Sequence, residues 1–209
     1  MIYELEREAM IRDQLAARGI RDERVLDAMR AVPRECFVPE ESHGLSYEDH
    51  PVPIGGGQTI SQPYIVALMT ELLRLSPEAE VLEIGAGSGY QAAILGHIVR
   101  HVCALERDPE LAERARATLE ALGFTRIDLR CGDGFDGWPD PDARFDGILV
   151  ACAPDHLPEK PAASLKPGGR MVVPIGPVGE VQQLTVIIRR HDGTLAREEV
   201  APVRFVPMV

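Results

Sequence analysis

Gly85, Gly87 and Gly89 follow the apolar run Val81-Leu82-Glu83-Ile84 at every second position, and Glu106 closes a second apolar run, Val102-Cys103-Ala104-Leu105. Glycines so placed let the backbone take positive φ and approach a ligand to van der Waals contact. An acid at the end of the next strand accepts hydrogen bonds from both hydroxyls of a ribose. A tight turn and a solvated strand end would explain either feature alone; turn, spacing and acid together point to a nucleoside site. A dinucleotide fingerprint requires glycine or alanine where this chain has Tyr90. The 85, 87, 89 spacing is that of S-adenosylmethionine (SAM) sites, which have no pyrophosphate to cradle, although Glu106 by itself serves NAD equally well. The stretch 90–99 carries apolar residues at helical spacing and offers its first amides to such a ligand.

A second chemical candidate lies in Gly57-Gln58-Thr59-Ile60-Ser61-Gln62-Pro63-Tyr64, which leads into an amphipathic helix over 65–73. Pro63, lacking an N–H, belongs in the first helical turn. Ser61 then reads as the N-cap, worth about 1 kcal/mol, or as a functional hydroxyl; the two roles are compatible, since a helix start beside a hydroxyl holds small anions. A hydrolase nucleophile is excluded, because no Gly-x-Ser-x-Gly turn surrounds Ser61 and no base is local to it. His97 and His101 are four apart, but Arg100 and the following strand separate them, so no metal site is expected. His43 and His50 read as solvated loop residues, and Met69 and Leu72 as core.

The elements needed to hold these residues are legible in outline. Leu5, Ala9, Ile11, Leu15 and Ala16 form an apolar stripe ended by Gly19, and Asp22 starts a second helix through Val25, Leu26, Ala28 and Met29 that stops at Pro33. From Pro33 to Gly57, prolines and glycines predict an extended cover segment, lying over a pocket or serving as a linker. After the glycine turn, Leu111, Ala115, Leu119 and Leu122 mark a helix ended by Gly123. Residues 127–130 form a strand leading to Gly132-Asp133-Gly134, and 145–150 a buried strand ending at Ala151-Cys152-Ala153-Pro154. Lys166-Pro167-Gly168-Gly169-Arg170 is a turn into the strand 171–174. The runs 181–189 and 199–206, joined through Asp192-Gly193, predict an antiparallel edge hairpin. The fold expected is an α/β, Rossmann-like, doubly wound sheet of seven strands, with a helical extension and cover over 1–57 and the SAM-binding domain over 58–209.

Composition narrows the partners. A net charge of −11, with 22 basic against 33 acidic residues, argues against nucleic acid, which demands clustered Lys and Arg. No apolar run approaches eighteen residues and the first residues lack a signal-peptide pattern, so a cytoplasmic chain without membrane contact is expected. The cysteines, at 36, 103, 131 and 152, form no close pair and are expected reduced and largely buried. Asp133 reads as a turn aspartate capping its own loop or as an acceptor for an adenine amino group.

The run Gly57-Gln58-Thr59-Ile60-Ser61-Gln62-Pro63, with Val81 to Tyr90, Ala31-Val32-Pro33-Arg34-Glu35-Cys36-Phe37-Val38 and the ending Val203-Arg204-Phe205-Val206-Pro207-Met208, resembles the protein-L-isoaspartate(D-aspartate) O-methyltransferases along the whole chain. The glycine motif fits any SAM-dependent methyltransferase; the Gln-Thr-Ile-Ser-Gln-Pro run is far more specific. The resemblance implies methyl transfer to the free α-carboxylate of isoaspartyl or D-aspartyl residues in damaged proteins or peptides, with S-adenosylhomocysteine as product; a monomer is expected, although the sequence does not fix the oligomeric state. The resemblance implies Ser61 as the catalytic residue. It also implies cofactor contacts at Thr59, Ile60, Glu83, Gly85, Ala86, Gly87, Gly89, Glu106, Asp133 and Gly134. At Val66, where some relatives have histidine, the chain departs from the pattern. Three rivals stand beside this reading: a nicotinamide-dependent dehydrogenase, a SAM-binding protein without activity, and a methyltransferase for aspartate in one dedicated peptide precursor.

Overall fold

The order in which the strands lie decides where a ligand can sit, and the chain reaches its sheet only after a long helical approach. The computed structural model describes residues 3–208; Met1 and Ile2 of the helical lead-in and Val209 lie outside the described residues. Helix α1 (Glu4–Ala9) passes into a π-helical stretch, Met10–Leu15, and a 3₁₀ turn, Ala16–Arg18, closed by Gly19 at φ 101°. The apolar stripe expected here is thereby redrawn. The wider π turn brings Met10 and Leu15, five apart, onto the core side, while Leu5 is 80% exposed. Helix α2 (Glu23–Ala31) starts where expected, with the Asp22 carboxylate accepting from the Arg24 amide, and stops before Pro33.

The cover segment is more regular than its prolines and glycines suggest. Two 3₁₀ turns, Arg34–Phe37 and Glu40–Leu45, precede an antiparallel hairpin of β1 (Val52–Gly55) and β2 (Gln58–Ile60). Gly55, Gly56 and Gly57 all have positive φ and form its turn. Helix α3 (Pro63–Leu73) then begins with Gln62 as N-cap and no capping side chain. The capping role expected for Ser61 is therefore corrected: Pro63 is itself the first helical residue, which leaves Ser61 one position outside the helix.

From β3 (Glu80–Ile84) onward the elements are α4 (Tyr90–Ile98), β4 (His101–Glu106), α5 (Pro109–Ala121), β5 (Ile127–Cys131), β6 (Phe145–Val150), α6 (Glu159–Ala163), β7 (Leu165–Ile175), β8 (Gln182–Arg189) and β9 (Leu195–Val203); strand and helix alternate as far as β5, only a 3₁₀ turn lies between β5 and β6, and β7 to β9 follow without helices. The seven-stranded sheet runs β5-β4-β3-β6-β7-β8-β9, parallel through β7 and antiparallel at β8 and β9. The expected turn at 166–170 lies within β7, as the irregularity where pairing with β6 jumps from Phe145–Leu165 to Gly147–Arg170. Because β3 is flanked by β4 on one side and β6 on the other, the chain leaves it in opposite directions. A crevice opens at its carboxyl end.

Side chains of β3 alternate between two buried clusters. Val81 joins the one containing Met10, Met29 and Tyr90, and Leu82 and Ile84 the other. Glu83 shares the face of Val81 by strand periodicity. The tail folds back over the crevice: Ala153 N–H donates to the Val206 carbonyl and Met208 N–H to the Ala153 carbonyl, both at 2.8 Å. Met208 packs so closely on Gly134 that a Cβ there would stand 2.3 Å from Ile84 Cγ2 and 2.8 Å from Met208 Cε. Gly134→Ala should therefore cost about 1–3 kcal/mol of stability, as overpacking does. An unchanged urea midpoint would show that the tail yields without cost.

Candidate active site

The turn after β3 is fixed by the end of β4. Gly85 and Ala86 amides donate to the Leu105 carbonyl at 2.8 and 3.0 Å, and the Gly87 amide donates to Glu106 Oε2 at 2.7 Å. Glu106 Oε1 accepts from the Asp108 amide at 2.9 Å. Each carboxylate oxygen keeps a further lone pair for a ligand hydroxyl. The glycines divide the work. Gly85 (φ 84°) and Gly87 (φ 55°) line the crevice, and a Cβ on Gly85 would fill it to within 3.2 Å of Cys152 Sγ. Gly89 (φ 87°) caps α4 and faces α5, where a Cβ would meet Ala115 and Leu119 at 3.3 Å.

Three neighbouring cavities with shared lining residues lie around this turn. The first lies against Gly85, Gly87, Glu106, Gly134 and Cys152, and the second, deeper one is bounded by Ile60, Ser61, Glu83, Ala86 and Tyr90. The third is an open groove of about 480 Å³ walled by Ser61, Gln62, Ile65 and the tail residues 202–206. Thr59 and Ala151 border all three, and Ser61 borders the deep pocket and the groove. Asp133 stands apart, facing the neighbouring cleft with Trp138, and one of its oxygens accepts from the Phe135 amide at 2.9 Å. Val66 forms part of the deep pocket's wall.

Glu83 is the electrostatic anomaly of the site. It is fully buried and neither carboxylate oxygen has a partner among the described residues. Burial, with the nearby Glu106 charge added, raises its pKa well above the usual carboxylate range. An orphaned acid in a ligand pocket fits a cationic ligand, which would supply the missing partner. The Cys152 thiol, pushed up to about 12 chiefly by burial, stays neutral and acts as wall rather than nucleophile.

Several contributors went unread in the sequence. Gln91 Nε2 donates to Thr70 Oγ1 at 2.9 Å, and Thr70 in turn to the Val66 carbonyl, tying α4 to α3 beneath the deep pocket. Their signal was a polar residue in each of two otherwise apolar helical runs. Cys36 and Cys131 are exposed, against the expectation of largely buried thiols; Cys103 is buried and Cys152 half-buried. His97 lies in the last turn of α4 while His101 opens β4, and no cluster of metal-ligating side chains exists among the described residues. No helix among them is long and apolar enough to cross a membrane.

The family model for protein-L-isoaspartate(D-aspartate) O-methyltransferases matches residues 5–209. The chain belongs to this family. It is 53% identical over 205 residues to protein-L-isoaspartate O-methyltransferase 2 of Anaeromyxobacter sp. (strain Fw109-5), covering 98% of this chain and 84% of that one. It is 54% identical over 203 residues to the protein-L-isoaspartate O-methyltransferase of Methylorubrum extorquens (strain PA1), covering 97% and 88%. A solved protein-L-isoaspartate O-methyltransferase superposes with a TM-score of 0.85 at 31% identity over 96% of this chain, which spans 65% of that one. A Plasmodium falciparum structure described as a member of the same family, in complex with S-adenosyl-L-homocysteine, superposes with a TM-score of 0.83 at 25% identity, covering 96% and 97%.

As a family member the chain is a SAM-dependent methyltransferase, and its residues fit that cofactor: a glycine turn, a strand-end acid with lone pairs to spare and a buried carboxyl without a partner among the described residues. The buried carboxyl also makes a pH test. Unfolded, Glu83 ionises near 4.3; folded, its pKa is raised, so the ligand-free fold loses stability as pH climbs between those two values. Glu83→Gln should therefore melt like the parent near pH 4. Above that its advantage should grow by up to about 3 °C per pH unit. Melting curves of equal height across pH 4–8 would show that Glu83 is ionised and solvated.

Proposed function

We propose that the reaction of this family takes place in this chain at Ser61, where the groove opens into the deep pocket. The reaction is methyl transfer from SAM to the free α-carboxylate of an L-isoaspartyl or D-aspartyl residue. The observation that carries the reading is that Ser61 borders both cavities and is not spent as a helix cap. Thr59, Ile60, Glu83, Gly85, Ala86, Gly87 and Glu106 surround the space assigned to the cofactor. Gly89 and Gly134 support it by close packing, while Asp133 lines the neighbouring cleft with Trp138.

When bound, the cofactor supplies a methyl group on a cationic sulfur. The acceptor carboxyl has a pKa near 4 and arrives ionised at neutral pH, so the chain needs no general base. Its task is placement. The Ser61 hydroxyl donates to one carboxylate oxygen, which leaves the other free to attack. Ile65, Phe205 and Val206 line the groove with apolar surface, so an acceptor seated there sheds water from the carboxylate and strengthens that hydrogen bond. The groove's length along 202–206 suits an extended polypeptide, with the tail backbone as one wall. A net charge of −11 supports a polypeptide rather than a nucleic acid as acceptor.

The methyl ester so formed is a better electrophile than the carboxylate: the backbone amide nitrogen of the following residue attacks its carbonyl, loses its proton, and methanol leaves. The ring so closed is a succinimide, which reopens in part to normal aspartate; the outcome is repair. Removing the hydroxyl in Ser61→Ala should lower turnover on the order of 100-fold, the usual loss for one positioned donor, with S-adenosylhomocysteine affinity within about twofold. Labelled methyl groups should pass to a peptide with an isoaspartyl linkage and not to its aspartyl twin. Full turnover in Ser61→Ala would remove Ser61 from the reaction, and equal labelling of both peptides would overturn the substrate assignment.

A further inference from the structure

Arg34 heads the fully buried side chains of the molecule by size, at 0% exposure. It forms no ion pair with a carboxylate among the described residues. Its bonds go elsewhere: Nε donates to the Ser46 carbonyl at 2.6 Å and Nη2 to the Ser61 carbonyl at 2.7 Å, and its backbone amide donates to the Tyr47 hydroxyl at 3.2 Å. The guanidinium carbon stands 4.9 Å from the centre of the Tyr90 ring, and Nη1 is buried with no partner. A buried cation without a counter-ion is costly, and an apolar residue of similar volume avoids that cost. The three segments it touches are the cover segment, the loop carrying Ser61 and the first residue of α4, and Ser61 and Tyr90 both line the deep pocket.

We infer that Arg34 is a positioning residue for the methyl transfer: it fixes the Ser61 carbonyl, and with it the direction of the hydroxyl, and sets a positive charge behind the turn that receives the acceptor carboxylate. The inference rests on the reading of Ser61 given above. Ser61 lies outside the hydrogen-bond ladder of α3 and caps nothing, so its backbone is held from this side by the Arg34 bond. Reaching two carbonyls on separate segments takes the planar fork of a guanidinium; a lysine ammonium at the same site is a single point charge on a flexible stem. With Nη1 unpaired the charge is not neutralised locally, and an anion arriving at Ser61 feels it through a poorly screening interior.

The test is a double-mutant cycle. Arg34→Lys and Arg34→Gln are made alone and in the Ser61→Ala background, with melting temperature, S-adenosylhomocysteine dissociation constant and turnover of an isoaspartyl peptide measured for each. Acting through Ser61, Arg34→Lys should lower turnover about tenfold or more in the parent and less than about twofold when Ser61 is already alanine. Arg34→Gln should lose more than Arg34→Lys, because it also loses the charge, and affinity for S-adenosylhomocysteine should stay within about threefold in both. Equal losses in the two backgrounds would overturn the inference, as would product affinity falling as far as turnover. Failure of both variants to fold would also overturn it, since Arg34 would then hold the whole fold rather than one turn. A fully active Ser61→Ala would instead defeat the reading of Ser61 itself, and this inference with it.

Discussion

The hydrogen bond from the Gly87 amide to Glu106, at 2.7 Å, is the constraint on which the site depends. It joins the turn after one parallel strand to the acid ending the next, and the Leu105 carbonyl takes the two preceding amides. Three consecutive backbone donors are thus committed to β4 before any ligand arrives. The turn is a preformed cradle, and its glycines are required because positive φ at 85 and 87 is what points those donors toward β4. A cradle made in this way asks little ordering of the protein on binding, which leaves more of the contact energy visible as affinity.

Two ionisable side chains, Glu83 and Arg34, are fully buried without a charge partner among the described residues. Under the reaction proposed above, Glu83 borders the pocket assigned to the cationic cofactor and Arg34 holds the turn assigned to the anionic acceptor. The ligand-free fold bears the cost of both. An uncharged pair would give a more stable protein with no electrostatic reason to bring a sulfonium and a carboxylate together.

Much of this was legible in the residues, and what escaped did so for physical reasons. The strand–helix succession from Val81 to Cys131, the edge hairpin at Asp192-Gly193 and the start of α2 are local matters of periodicity and capping, which a single sequence carries. The π stretch at Met10–Leu15 turned the lead-in by a fraction of a residue per turn, an effect of packing that leaves no compositional trace. Gly55-Gly56-Gly57 read as part of an extended cover rather than a hairpin turn because the two strands it joins are only four and three residues long. Ser61 was misread as a cap by one position, and that position decides between a spent hydroxyl and a free one. Arg34 stood in a run that carried the family resemblance without a role being assigned to it, and Gln91 and Thr70 carried no motif; what the three do exists only in pairings 12 to 27 residues apart in the chain.

Acceptor wall and cofactor floor are not independent structures. The end of β6 serves both: the Ala151 amide donates to the Ile84 carbonyl at the crevice, while Ala153 exchanges two hydrogen bonds with the tail at Val206 and Met208. The tail is held from its other side by Gln182, whose Oε1 accepts from the Phe205 amide at 2.9 Å. Groove and crevice are therefore tied to one strand end, two residues apart. A displacement of the wall large enough to admit a bulkier acceptor would have to break bonds at 153 or 205, and the first of these lies beside the cofactor floor. Under the reaction proposed above, the acceptor rather than the wall is then the partner that adapts.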